Sequence, residues 1–86
     1  MIAGVRGTIE AKRADALLVD VGGLIYRIGT STSTLSVVGD AGDSVHLYTY
    51  LLVREDQLAL YGFATQDELD AFEALISASG VGPKTA

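Results

Sequence analysis

Apolar side chains recur at every second position through the first two thirds of this chain, in short runs broken by glycine and charged residues. A period of two belongs to half-buried β-strands, which holds the chain to a small, mainly β core. Over residues 2–10, Ala3, Val5, Gly7 and Ile9 fall on one face and Gly4, Arg6, Thr8 and Glu10 on the other, predicting a first strand that ends near Lys12. Residues 16–21 are aliphatic and β-branched, and Gly22-Gly23 separates them from a further strand pattern over 24–28. A Gly-Gly pair supplies the positive φ angles of a two-residue hairpin turn, so these two strands should pair antiparallel.

Ser and Thr fill positions 30–34, followed by Leu35, Val37 and Val38 and then by Gly39-Asp40-Ala41-Gly42-Asp43. That order predicts a short helix of about one to two turns, then a turn. Residues 44–53 are the longest strand candidate, with Val45, Leu47, Thr49, Leu51 and Val53 facing one way and His46, Tyr48, Tyr50 and Leu52 the other. Both faces are largely apolar, so the strand should meet a barrel interior on one side and a second element or another subunit on the other. Arg54-Glu55-Asp56 interrupts it, and alternation resumes over 57–61 with Leu58 and Leu60, giving a second hairpin with a charged tip.

At Thr65 the period changes. Thr65-Gln66-Asp67-Glu68 has the form of a capping box, in which the Thr65 hydroxyl accepts from the third helical amide and Glu68 reaches back to the cap. Leu69, Phe72, Leu75 and Ile76 then recur at helical spacing, predicting an amphipathic helix to about Ala78. Gly80-Val81-Gly82 should end it, and Pro83 suits the first position of another helix, with Lys84-Thr85-Ala86 as its opening turn. One turn is not stable alone, so the sequence is expected to be part of a longer chain. Three strands, a short helix, two strands and a helix is the order of a mainly β OB-fold, a five-stranded, partly open barrel, although other five-stranded barrels and SH3-like arrangements share it. The expected division is a barrel over 1–63 and the start of a second unit over 64–86.

The side-chain inventory excludes most chemistry. With no Cys and one His in 86 residues, disulfide frameworks, zinc ribbons, thiol nucleophiles and most imidazole metal sites are absent. No apolar run approaches a bilayer span, and the opening residues lack a secretory pattern, so a cytoplasmic protein is expected. Eleven acidic against six basic residues give a net charge of −5, which by itself argues against a phosphate backbone as ligand.

Two constellations carry chemistry. In Gly80-Val81-Gly82-Pro83-Lys84, glycines permit close approach, the amides of the next helix can face an anion, and Lys84 adds a positive charge. Placed between two helices, the string fits a helix-hairpin-helix grip on a DNA backbone; it also reads as an ordinary glycine cap before a Pro-led helix, with no ligand. Glu55-Asp56, at the second hairpin tip, could repel a polyanion, bind a divalent cation or be a polar turn. Repulsion amounts to about 1 kcal/mol per close charge pair in water and fades over roughly 8 Å, so such a pin acts only on strands it touches. His46, beside Tyr48 and Tyr50, reads as a core or interface histidine. Tyr26, Tyr48, Tyr50, Tyr61 and Phe63 could stack bases, but their spacing favours core and subunit packing.

The stretches 53–63 (VREDQLALYGF) and 75–84 (LISASGVGPK), with the opening Met1-Ile2, Gly7 and the Gly22-Gly23 hairpin with Tyr26, closely resemble the N-terminal part of the RuvA family. The resemblance covers essentially the whole chain. It implies an OB-fold first domain followed by a helix-hairpin-helix domain, in a homotetramer that binds four-way Holliday junction DNA, holds it open and carries the RuvB motor, with RuvC a possible further partner. Glu55 and Asp56 match the family's acidic pin, with Arg54 as its basic companion. Gly80, Val81, Gly82 and Lys84 match the first helix-hairpin-helix, which would hold a DNA backbone. No catalytic residue, metal or cofactor is implied; the ATPase would belong to RuvB. Ile25 departs from the family, which often has Gly there, and touches packing alone. The negative charge then fits a chain that ends before most of the DNA-gripping surface. The rival reading is an OB-fold assembly module without junction selectivity, and the weakest is a metal enzyme built on Glu55 and Asp56.

Overall fold

The computed structural model describes residues 2–79. Its elements follow the expected order: β1 (Gly4–Lys12), β2 (Ala16–Val21), β3 (Leu24–Gly29), α1 (Thr32–Val37), β4 (Ser44–Arg54), β5 (Gln57–Phe63) and α2 (Gln66–Ser79). The strands close into a barrel in the order β1-β2-β3-β5-β4, which is the OB-fold arrangement. Gly22 and Gly23 have φ of 61° and 98°, the left-handed pair that a tight hairpin between β2 and β3 requires. The Asp20 carboxylate accepts from the Gly23 amide at 2.9 Å and stiffens that turn.

Alternation decides what faces inward. Val5, Ile9, Leu17, Val19, Ile28 and Leu47 form the buried core, and Leu35 and Val38 around α1 pack against it. β1 has a register irregularity between Ile9 and Ala11. There Gly42 donates to the Ile9 carbonyl at 2.8 Å and the Ile9 amide to Asp43 at 2.9 Å, so the turn before β4 is stitched onto the bent strand. Thr49 is polar yet buried, and its hydroxyl donates to the Ile2 carbonyl at 2.8 Å. Among the described residues no buried polar side chain lacks a partner.

β3 and β5 close the barrel in parallel through Ile28↔Leu60 and Gly29↔Tyr61 alone. Because the two strands run the same way, the β2–β3 and β4–β5 turns lie at one end of the barrel. The other end carries α1, whose Thr34 hydroxyl accepts from the Ala64 amide just beyond β5 at 3.1 Å.

β4 is covered on both sides, as its two apolar faces require. Leu47 and Thr49 point inward, while Tyr48, Tyr50 and Leu52 pair with Phe63, Tyr61 and Ala59 on the outer face. There α2 inserts Phe72, with ring centroids 6.0 Å from Tyr50, 5.4 Å from Tyr61 and 5.0 Å from Phe63. Leu69 is buried with it, but Leu75, expected on the same apolar face, is 55% exposed. Ile76 beyond it is half-buried, so the covered stripe runs through Leu69, Phe72 and Ile76 and is narrower than the sequence period.

Candidate functional site

Glu55 and Asp56 form a two-residue loop closed by the Arg54↔Gln57 pair, and Arg54, Glu55 and Asp56 are all exposed. Neither loop residue takes positive φ, so the turn differs from the glycine hairpin at the same barrel end. The ion pairs among the described residues are Lys12–Asp40 at 4.0 Å and Arg27–Asp15 at 3.6 Å. Both carboxylates of the tip, and the Arg54 guanidinium beside them, are therefore left unpaired within this set. Their charge projects into solvent at the end of a long hairpin, a placement that suits action on an approaching charge and not on a buried substrate. Among the described residues no three metal-ligating side chains come together, at the tip or elsewhere.

Beside each of the two turns lie exposed apolar side chains that the sequence pattern did not single out. Val53 and Leu58 face one another across the β4–β5 ladder and are 67% and 70% exposed. Leu24 and Ile25, beside the glycine turn, are 64% and 49% exposed. Alternation correctly puts Val53 on the face of Leu47 and Thr49, but the hairpin extends past the barrel, so the same face turns from interior into surface. The available signal was the run of apolar residues continuing up to both turns.

The aromatic residues resolve toward packing. Tyr50, Tyr61 and Phe63 are taken up by Phe72. His46 is exposed, not in the core: its ring lies 4.8 Å from that of Tyr48, it pairs with Arg6 across the β1–β4 ladder, and its Nε2 lies over Gly4.

The capping box forms by half. The Glu68 amide donates to the Thr65 hydroxyl at 3.2 Å, but the Glu68 carboxylate does not turn back to the cap. It accepts instead from Ser31 at 2.5 Å and from Thr34 at 2.8 Å, both in α1 or its cap. Tertiary hydroxyls displaced the local partner. The remaining sequence candidates, Gly80, Val81, Gly82 and Lys84, lie outside the described residues.

Fold and tip together define an OB-fold module with an uncovered acidic hairpin and a helix docked on its outer face. The family described as RuvA N terminal domain matches residues 1–62. Proteins named Holliday junction branch migration complex subunit RuvA from Thermomicrobium roseum and Acetivibrio thermocellus are each 57% identical to this chain over all 86 residues. One of the same name from Ruminiclostridium cellulolyticum is 49% identical over the same length. The chain spans 45%, 43% and 43% of those relatives. It belongs to the RuvA N-terminal domain family.

Proposed function

We propose that the chain supplies the barrel and the start of the DNA-gripping region of a structure-selective subunit that holds a four-way DNA junction open for branch migration. The observation that carries this is the exposed Glu55-Asp56 tip, unpaired among the described residues, in a chain whose relatives are named for the Holliday junction. Placed at a junction centre, two exposed carboxylates repel phosphates and keep the exchanging strands apart. Arg54 beside them would contact a flanking phosphate. The barrel is taken as residues 1–63, and 64–86 as the start of a helix-hairpin-helix unit in which Gly80, Val81, Gly82 and Lys84 hold a backbone.

Val53 and Leu58 flank the tip, Leu24 and Ile25 flank the neighbouring turn, and these exposed apolar side chains, called here the collar, offer a surface for subunit contact. It supports a homotetramer with the acidic tips near its axis. The subunit is non-catalytic and cytoplasmic, and the ATPase sits in a RuvB partner reached through regions beyond this chain, with RuvC as a further partner. The collar equally favours a second reading, an assembly module with no junction selectivity.

The deciding experiment extends the chain to the full length of its relatives and compares a four-way junction with a linear duplex at one fixed salt concentration. Strong preference for the junction is expected. Equal binding, or none, overturns the proposal in favour of the assembly module.

A further inference from the structure

Between the last residue of β5, Phe63, and the first of α2, Gln66, lie only Ala64 and Thr65, so the direction in which α2 leaves the barrel is decided within a very short link. Phe72 holds the helix down through contacts with three aromatic rings. The directional contact is Glu68. Its Oε2 accepts from the Ser31 hydroxyl at 2.5 Å and its Oε1 from the Thr34 hydroxyl at 2.8 Å. Each hydroxyl also accepts a backbone amide: Ser31 from Thr34 at 3.1 Å, and Thr34 from Ala64 at 3.1 Å. Both hydroxyls are thus fixed by the main chain before they reach the carboxylate, and two parallel bonds to its two oxygens set its plane.

This carboxylate is half-buried, and among the described residues no cation faces it. The helix end does not need it, because Thr65 already caps the Glu68 amide. Thr34 is fully buried, so the pair is built into the barrel and not draped over it. A partly desolvated charge without a counter-ion is costly, and a purely structural contact could be made by apolar groups.

We infer that Glu68 is a positioning residue: its two-hydroxyl clasp on α1 sets the angle of α2 to β5, and so the placement of the DNA-gripping region relative to the Glu55-Asp56 tip at the far end of β5. This inference rests on the junction-holding function proposed above.

Reach and charge make opposite predictions for two conservative variants. Glu68→Asp keeps the charge near the helix N-terminus but is one methylene too short to span both hydroxyls. Glu68→Gln loses the charge but keeps the length, with an oxygen to accept from Thr34 and an amide to donate to Ser31. Since the chain has no Cys, Thr8→Cys and Ala74→Cys would place spin labels on exposed positions of β1 and α2 alone. The expected result is a broadened or shifted label distance in Glu68→Asp and a wild-type distance in Glu68→Gln, with barrel amide protection unchanged in both. In the chain extended to full length, Glu68→Asp should lower the junction-to-duplex preference by roughly tenfold while Glu68→Gln stays close to wild type.

A wild-type distance in Glu68→Asp, or Glu68→Gln worse than Glu68→Asp, would overturn the clasp and leave a helix-dipole role. A changed distance with unchanged junction preference would overturn the positioning role. If the unsubstituted protein shows no junction preference, the proposed function falls, and the label distances still decide whether Glu68 orients α2.

Discussion

Gly29 lies flat against the ring of Tyr61: a methyl group at Gly29 would sit 2.8 Å from Cδ1 and 2.9 Å from Cε1. The two residues are paired across the parallel β3–β5 ladder, and the Phe72 ring, 5.4 Å away between centroids, restricts the retreat of the Tyr61 ring. Gly29→Ala should therefore destabilise the fold by about 2 kcal/mol, as overpacking does in a tight site. Urea denaturation measures this, and the double substitution with Tyr61→Val should recover part of the loss. Strict additivity of the two changes would contradict the contact.

Phe72 ties α2 to the barrel through three rings, and it is itself half-buried. Phe72→Ala should cost about 2 kcal/mol, below the value for a fully buried ring. The loss should be uneven: faster amide exchange throughout α2, with β1 to β4 still protected. Uniform loss of protection would mean that helix and barrel unfold as one unit.

Glu55 and Asp56 are exposed and unpaired among the described residues, so Glu55→Gln with Asp56→Asn should leave the melting temperature nearly unchanged. Under the proposed function, the full-length protein should then bind linear duplex more tightly, about fivefold for each close carboxylate–phosphate repulsion removed. Junction selectivity falls accordingly. Titration of both DNAs at the same salt tests this, and unchanged duplex binding would place the tip away from the DNA.

Leu58 is 70% exposed opposite Val53, so Leu58→Lys should cost the isolated fold little. If the collar is a subunit contact, the substitution should lower the assembly state seen by light scattering. An unchanged mass would move the interface elsewhere.

Where local period determines structure, the sequence was legible. The Gly22-Gly23 turn, the strand alternation and the change of period at Thr65 each arise from neighbours in the chain, and they appear where the residues imply. The division of β4 into an inward and an α2-facing side was legible too, because two apolar faces on one strand need two covers. What escaped depends on contacts between distant segments. Nothing near Glu68 announces that Ser31 and Thr34 will outbid its own helix cap, and the exposure of Leu24 and Leu58 follows from how far the hairpins overrun the barrel. The tip residues were identifiable as candidates, yet that they have no ionic partner among the described residues emerged only from the fold.

The parallel seam between β3 and β5 has two residue pairs, against six for β2–β3 and seven for β4–β5. Hairpins form from near neighbours, whereas this seam joins segments separated by α1 and all of β4, and must wait for loop closure. It is then among the last contacts made and the first released. A methyl added at Gly29, which meets Tyr61 across this seam, should act on how long the barrel stays shut, through the unfolding rate, and hardly on how quickly it is made.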